Sequence, residues 1–153
     1  MTSRWIPLLA TMAISLCAAG TIVSAQAPRT IQMTGNDSLQ YSVTTITAKP
    51  GEKLTVVLRT MSMQPASQMA HNFVILKPGS NVDAFVTAAG LAKNTDYMPP
   101  ALKGQVLVAS GMAAGGEKVS VTFTAPTKPG TYPYFCSYSG HYSGGMKGVL
   151  IVK

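Results

Sequence analysis

The sequence predicts an all-β fold, an antiparallel Greek-key β-sandwich of seven or eight strands with one short inserted helix. Apolar and polar side chains alternate in two segments, 54–59 and 118–123, which is the period of a half-buried strand. Pro-Gly turns recur between the apolar segments. A single segment, 81–92, instead spaces its apolar residues as a helix does.

The other predicted strands are bounded by turn signals or by a change of pattern. Residues 41–47 are rich in β-branched side chains, which favour strands. Residues 73–76 form a continuous apolar run, typical of a strand buried on both faces. Turns are predicted at the Lys-Pro-Gly sequences that begin at positions 49, 77 and 128. Further strands are predicted at 105–108, 131–136 and 147–153.

The helical segment has both an amino-terminal signal and an apolar face. Ser80 or Asn81 can cap its amino end with a side-chain oxygen. Four apolar residues fall on one face of the predicted helix: Val82, Phe85, Val86 and Ala89. The segment is therefore predicted to pack one face on the sandwich.

The composition narrows the possible classes of protein. The chain has 153 residues, of which 46% are hydrophobic and 11% charged, and this suits one globular domain. Only five residues are acidic, which argues against paired-carboxylate hydrolases and oxygen-ligand cation sites. The net charge is +7, but the lysines are spread singly and do not interleave with aromatic residues. Nucleic acid is therefore not an expected partner.

Residues 1–25 have the pattern of a secretory signal peptide. Arg4 supplies positive charge, residues 5–23 are apolar, and Val23-Ser24-Ala25 is a small-x-small cleavage pattern. The alternative is an uncleaved membrane anchor, since the apolar run is about long enough to span a bilayer. A single domain is expected at 28–153, in the periplasm or otherwise exported, with membrane contact only if the amino-terminal segment is retained. Cleavage would remove Cys17 and leave Cys136 as the single thiol.

The residues that carry chemistry lie near the carboxyl end. Cys136, His141 and Met146 are separated by four residues each, and His71 lies far upstream, at the start of an apolar run. Thiolate, thioether and imidazole donors together suit copper in both of its oxidation states. A site that holds both states in nearly one geometry needs little reorganisation and transfers an electron quickly.

Two segments resemble the cupredoxins, the small blue-copper proteins, and among them the azurin and auracyanin group. Residues 132–148, which run Tyr-Pro-Tyr-Phe-Cys, then Gly-His, then Gly-Met-Lys-Gly, are similar to the carboxy-terminal ligand loop of that family. Residues 69–74, Met-Ala-His-Asn-Phe-Val, are similar to the family's upstream histidine motif. The loop differs from the common Pro-Gly-His form because Ser139 precedes Gly140.

The resemblance implies one type 1 copper ion and a set of residues that hold it. Its ligands would be His71, Cys136, His141 and Met146, with Met146 in a weak axial position. The main-chain carbonyl of Ala70 would approach from the opposite side. Two further residues, Asn72 and Ser137, would support the ligands by joining the two ligand segments.

The resemblance also implies a function. The protein is expected to shuttle one electron between redox proteins such as c-type cytochromes, a quinol-oxidising complex or a terminal reductase, and not to be an enzyme. The alternative is a copper carrier that delivers the metal without transferring electrons. A copper enzyme would need histidines beyond His71 and His141, and a thiol hydrolase built on Cys136 would lack a third orienting group.

Several methionines precede the upstream histidine. Met61, Met63 and Met69 lie just before His71, and Met98 precedes two prolines. Three interpretations stay open: core packing, an apolar collar around the exposed edge of His141, and transient capture of copper.

Overall fold

The computed structural model describes residues 27–153. The predicted signal peptide or anchor, with Cys17, lies outside the described residues. Within the described part there are ten strands, one α-helix and two 3-10 helices, at Lys93–Thr95 and Pro100–Gln105. The strands and the α-helix are β1 (Arg29–Asn36), β2 (Thr45–Ala48), β3 (Lys53–Met61), β4 (Ala70–His71), β5 (Val74–Leu76), α1 (Val82–Gly90), β6 (Val106–Ala109), β7 (Ala113–Ala114), β8 (Lys118–Thr124), β9 (Gly130–Phe135) and β10 (Lys147–Val152).

The strands form two main sheets and one small one. The order is β1-β3-β8 in the first sheet and β2-β10-β9-β5-β6 in the second, while β4 pairs with β7. The predicted all-β class with one short helix is confirmed. The expected strand number is too low, because β4 and β7 have two residues each and leave no periodic pattern.

The predicted antiparallel pairing is found in most strand pairs but not in all of them. β1 pairs with β3 in parallel, and β2 pairs with β10 in parallel. β2 lies between β1 and β3 in the sequence, but it belongs to the other sheet. The chain therefore crosses over and returns in the original direction, which a hairpin does not allow.

The core lies between the two main sheets. The inward residues of β3, Leu54, Val56 and Leu58, are fully buried, as their alternation predicts. The Phe73 ring lies 6.2 Å from that of Phe123 in β8 and 4.9 Å from that of Tyr134 in β9. These contacts join the two sheets next to the strand ends at His71 and Cys136.

The inserted helix is confirmed. The Asn81 side-chain oxygen accepts a hydrogen bond from the Ala84 amide at 3.0 Å and caps α1. Phe85 and Ala89 are buried, and the Phe85 ring packs edge-on against Phe135 at 5.9 Å. The helix therefore supports the end of β9, immediately before Cys136.

The amino-terminal strands differ from the prediction. A strand was expected at 41–47, but β2 begins at Thr45, and Tyr41 forms only an isolated bridge with Gly35. β1 was not predicted, because it buries only Met33 and Gly35 fully and shows no clear alternation of apolar residues. Within residues 27–153, no helix is long and apolar enough to cross a membrane.

Candidate metal centre

Three strand ends bring the predicted residues to one place. His71 lies in β4, and Cys136 follows the last residue of β9. His141 and Met146 lie in the loop that joins β9 to β10. The Cys136 amide donates a hydrogen bond to the Met146 carbonyl at 3.1 Å, and the Met146 amide donates to the His141 carbonyl at 2.9 Å. These bonds fold the loop back on itself, so its donors converge.

Two imidazoles and the thiol point at one position. Nδ1 of His71 and Nδ1 of His141 are 3.2 Å apart, and Cys136 Sγ is 3.5 Å from the latter nitrogen. All three donor atoms lie within 4.8 Å of one another, and all three residues are buried. Trigonal ligands with metal bonds of about 2.0–2.3 Å are about 3.5–4.0 Å apart, so donor atoms at this spacing can bind a single metal ion after small movements.

Burial keeps both histidines neutral. Desolvation lowers the pKa of His71 to about 4, and the Asp37 carboxylate and the Asn36 carbonyl oppose this only partly. The Asn36 carbonyl stabilises the charged form of the His71 ring. Among the described residues, however, no group forms a hydrogen bond of good geometry with His71 Nε2. Burial and the neighbouring His71 lower the pKa of His141 to about 4. Neutral imidazoles are the form that binds a metal.

The thiol is protonated in the absence of a metal. Burial raises the pKa of Cys136 to about 12, although main-chain amides of Asn72 and Tyr138 favour the thiolate. Binding of a metal must therefore displace the thiol proton. The sulfur also lies 4.0 Å from the Ala70 carbonyl oxygen, the group expected to approach the ion opposite Met146.

Asn72 and Ser137 join the two ligand segments. The Asn72 Nδ2 donates to Ser137 Oγ at 2.8 Å, and the Ser137 amide donates to Asn72 Oδ1 at 2.9 Å. The Asn72 carbonyl accepts a hydrogen bond from the Tyr41 hydroxyl. Both residues are buried, with about 1% of their surface exposed. These contacts connect the residue after His71 to the residue after Cys136.

Met146 is fully buried and lies against β1. Its terminal methyl group and the His71 ring both flank Gly35. Nothing in the sequence points to Gly35, because a glycine in a segment without a strand pattern carries no signal of its own.

An aromatic stack that the sequence does not predict lies against His141. The Tyr138 ring lies 4.5 Å from the His141 ring at an angle of 29°, and Tyr97 lies 4.4 Å from Tyr138. In the sequence, the only sign of a role for Tyr138 is its position between Cys136 and His141. The stack covers one face of His141 and restrains the rotation of its ring.

The methionines near His71 and at position 98 do not share one environment. Core packing is wrong for Met61 and Met63, whose side chains are 52% and 99% exposed. Both line a surface groove with Asp37. Met98, by contrast, packs against the core.

The comparison with known families agrees with this geometry. Residues 28–153 match the family described as copper binding proteins, plastocyanin/azurin family. The chain belongs to this family.

Relatives and solved structures of the plastocyanin/azurin family support the assignment. The chain is 33% identical to auracyanin-B of Chloroflexus aurantiacus over 94% of its own length, but it spans only 60% of that protein. It is 35% identical to the azurin of Achromobacter denitrificans, with 92% and 95% of the two chains covered. The solved structure of auracyanin A, a "blue" copper protein of Chloroflexus aurantiacus, superposes with a TM-score of 0.70 at 34% identity over 83% of this chain and 100% of that one.

Membership of the plastocyanin/azurin family identifies copper as the cofactor of this protein. The donor set of two histidines and one cysteine is consistent with a single type 1 copper ion. Membership of this blue copper family implies electron transfer.

Proposed function

We propose that the protein is an exported one-electron carrier whose copper ion is held by His71, Cys136 and His141. Met146 would contribute a further, weak ligand through its thioether, and the Ala70 carbonyl, 4.0 Å from the Cys136 sulfur, would lie beside the ion. The observation that carries the proposal is the convergence of two neutral Nδ1 atoms and one thiol sulfur at a single buried point. Copper in this site would cycle between Cu(II) and Cu(I).

The chain's own residues favour electron transfer over substrate chemistry. His71, Cys136 and Met146 have no exposed surface, and His141 is 4% exposed. Burial of this kind keeps substrates and water from the donors, whereas an electron can pass through the ring of His141. We therefore propose His141 as the point of electron entry and exit, and we propose that the protein is not an enzyme.

The donors are held in place by contacts that do not involve the ion. The hydrogen bonds between Asn72 and Ser137 join the two ligand segments, and the Tyr138 ring covers His141. A site whose donors do not move changes little when the charge of the ion changes. This rigidity supports a shuttle, because reorganisation is the main barrier to electron exchange.

The proposed location rests on the amino-terminal sequence, and the proposed partners rest on membership of the family. Residues 1–25 would direct export to the periplasm, and 28–153 would form the single mature domain. The partners would be redox proteins such as c-type cytochromes, a quinol-oxidising complex or a terminal reductase. Binding would be brief and of small area, as in other redox encounters.

Reconstitution with copper tests the proposal against its alternative. The purified protein is loaded with Cu(II), and the visible spectrum and the rate of copper loss to an excess of chelator are measured. An electron carrier gives an intense visible band, retains its copper and is reduced reversibly. Weak visible absorption with rapid loss of copper would instead identify a carrier that delivers the metal.

A further inference from the structure

β1 lies against the metal centre at Gly35. An ideal Cβ built on this residue would lie 2.5 Å from Met146 Cε, 2.6 Å from His71 Cδ2 and 3.0 Å from His71 Cγ. Favourable contacts between carbon atoms need about 3.5–4.0 Å. The φ angle of Gly35 is not positive, so its backbone conformation would accept any residue. A side chain is excluded at this position because there is no space for it beside the two proposed ligands. The backbone conformation does not require glycine.

We propose that Gly35 is a positioning residue of the copper centre. By having no side chain, it allows the Met146 thioether and the His71 ring to pack together against β1. This inference rests on the ligand set proposed above and adds a residue that does not itself bind the ion. Gly35 would thereby determine how closely the axial sulfur can approach the copper.

The backbone at Gly35 is held on both sides and cannot withdraw. On one side, Gly35 pairs with Thr60 in the parallel β1–β3 ladder. On the other side, it forms a bridge with Tyr41. The flanking main-chain bonds, from Ser42 to Thr34 at 2.9 Å and from Asn36 to Gln40 at 3.2 Å, close the turn that follows.

The turn after Gly35 is further braced by a side chain. Asn36 Oδ1 accepts hydrogen bonds from the amides of Ser38 and Gln40, at 3.1 and 3.2 Å. Leu39 at the tip has a positive φ of 57° and lies so close to Gly144 that a Cβ there would collide with it. The same turn thus contacts the ligand loop at a second point, which also opposes movement of β1 away from the site.

A methyl group at position 35 would therefore displace the ligands rather than the strand. The His71 ring is rigid, and its strand pairs with β7 through Ala113. Met146 ends in a flexible thioether, although its main chain is bonded to Cys136 and His141. The thioether moves more readily than the ring, so the axial donor would be weakened first. Loss of electron donation disfavours Cu(II), and the reduction potential would rise.

The substitution Gly35→Ala tests this role against two matched glycines. Gly104→Ala adds a methyl group where no atom lies within 4 Å, at a residue without a positive φ. Gly148→Ala creates a collision with the phenol end of the Tyr134 ring, in the core and not with a ligand. The readouts are copper affinity, visible and electron paramagnetic resonance spectra, reduction potential, and melting temperature of the metal-free protein.

Gly35→Ala is expected to alter the copper centre and not merely the stability. Copper affinity should fall about tenfold, as is typical when support of a metal ligand is lost. The visible band should shift and the potential should rise. Gly104→Ala should leave every readout unchanged, and Gly148→Ala should lower the melting temperature with the wild-type spectrum intact.

A Met146→Ala background separates the effect on the thioether from general strain. The double variant removes the collision with Met146 Cε and leaves only the one with the His71 ring, so it should fold more readily than Gly35→Ala alone. The effect of the alanine on the spectrum and potential should be smaller in this background, because one of its two contacts is gone. An undiminished effect would overturn the role proposed for Gly35.

Other results would overturn the inference in different ways. A wild-type spectrum and potential in Gly35→Ala, or the same spectral change in Gly148→Ala, would remove Gly35 from the copper centre. A wild-type protein that binds copper without an intense visible band would instead refute the ligand set itself. The two failures are therefore distinguished by the wild-type spectrum alone.

Discussion

Asn72 and Ser137 exchange two hydrogen bonds across the centre, one from side chain to side chain at 2.8 Å and one from main chain to side chain at 2.9 Å. Each residue directly follows a proposed copper ligand. The pair is the shortest polar connection between the upstream strand and the ligand loop. The pair therefore both positions the metal-binding donors and stabilises the fold.

Asn72→Ala should damage both properties. Removal of the amide leaves the Ser137 amide and hydroxyl buried without partners, which costs about 1–3 kcal/mol of unfolding free energy. Copper affinity should fall about 10–100-fold, because the two ligand segments are no longer joined. Urea denaturation of the metal-free protein and a chelator competition titration measure these two effects.

Asn81→Ala provides the matched control for that variant. It removes the cap of α1 and should cost about 1 kcal/mol of stability. Because Asn81 contacts none of the proposed ligands, copper affinity and the visible spectrum should be those of the wild type. Equal copper affinity in the two variants would contradict the role of Asn72.

Cys136→Ser should abolish the intense visible band. That absorption needs a thiolate bonded to the ion, and a hydroxyl group cannot replace it. The variant should remain folded, which circular dichroism checks, since the substitution changes little volume. Persistence of the band in a folded Cys136→Ser protein would refute the thiolate assignment.

Met146→Leu should retain copper and raise the reduction potential. The swap nearly conserves volume, so the loss of stability should be below about 1.5 kcal/mol. Its physical effect is the loss of a weak donor that favours Cu(II). Redox titration followed by visible absorption measures the shift, and an unchanged potential would mean that the thioether is not coordinated.

The stability of the metal-free protein should be greatest between about pH 6.5 and pH 9. The pKa of His71 and that of His141 are lowered from 6.5 to about 4, so the unfolded chain binds protons first as the pH falls. Stability is therefore fully present above pH 6.5 and is lost progressively down to about pH 4. The pKa of Cys136 is raised from 9.0 to about 12, so stability is also lost as the pH rises above 9.

Urea denaturation across pH measures this dependence, and one variant assigns its alkaline part. Cys136→Ala should reduce the loss of stability between pH 9 and pH 10, and the remainder comes from the buried tyrosines Tyr41 and Tyr134, whose pKa values are raised by burial and which ionise in the unfolded chain at about pH 10. Unchanged stability from pH 6.5 to pH 4 in the wild type would mean that the histidines are not buried in their neutral form.

Local patterns in the sequence predicted most of the elements. The alternation in β3 and β8, the apolar run that contains β5 and the capped helix α1 each report burial within a few neighbouring residues. The loop donors, Cys136, His141 and Met146, were also identified from their spacing. Two neighbouring strands tether this loop, so closeness in sequence becomes closeness in space.

Tertiary structure alone decided the features that depend on distant segments. These are the parallel pairing of β1 with β3, the exposure of Met61 and Met63, and the approach of Gly35 to His71. A periodic pattern records which face of a segment is buried, but not which strand lies beside it. A glycine required for close approach has no pattern at all, because the reason for its small size is a side chain that lies far away in sequence.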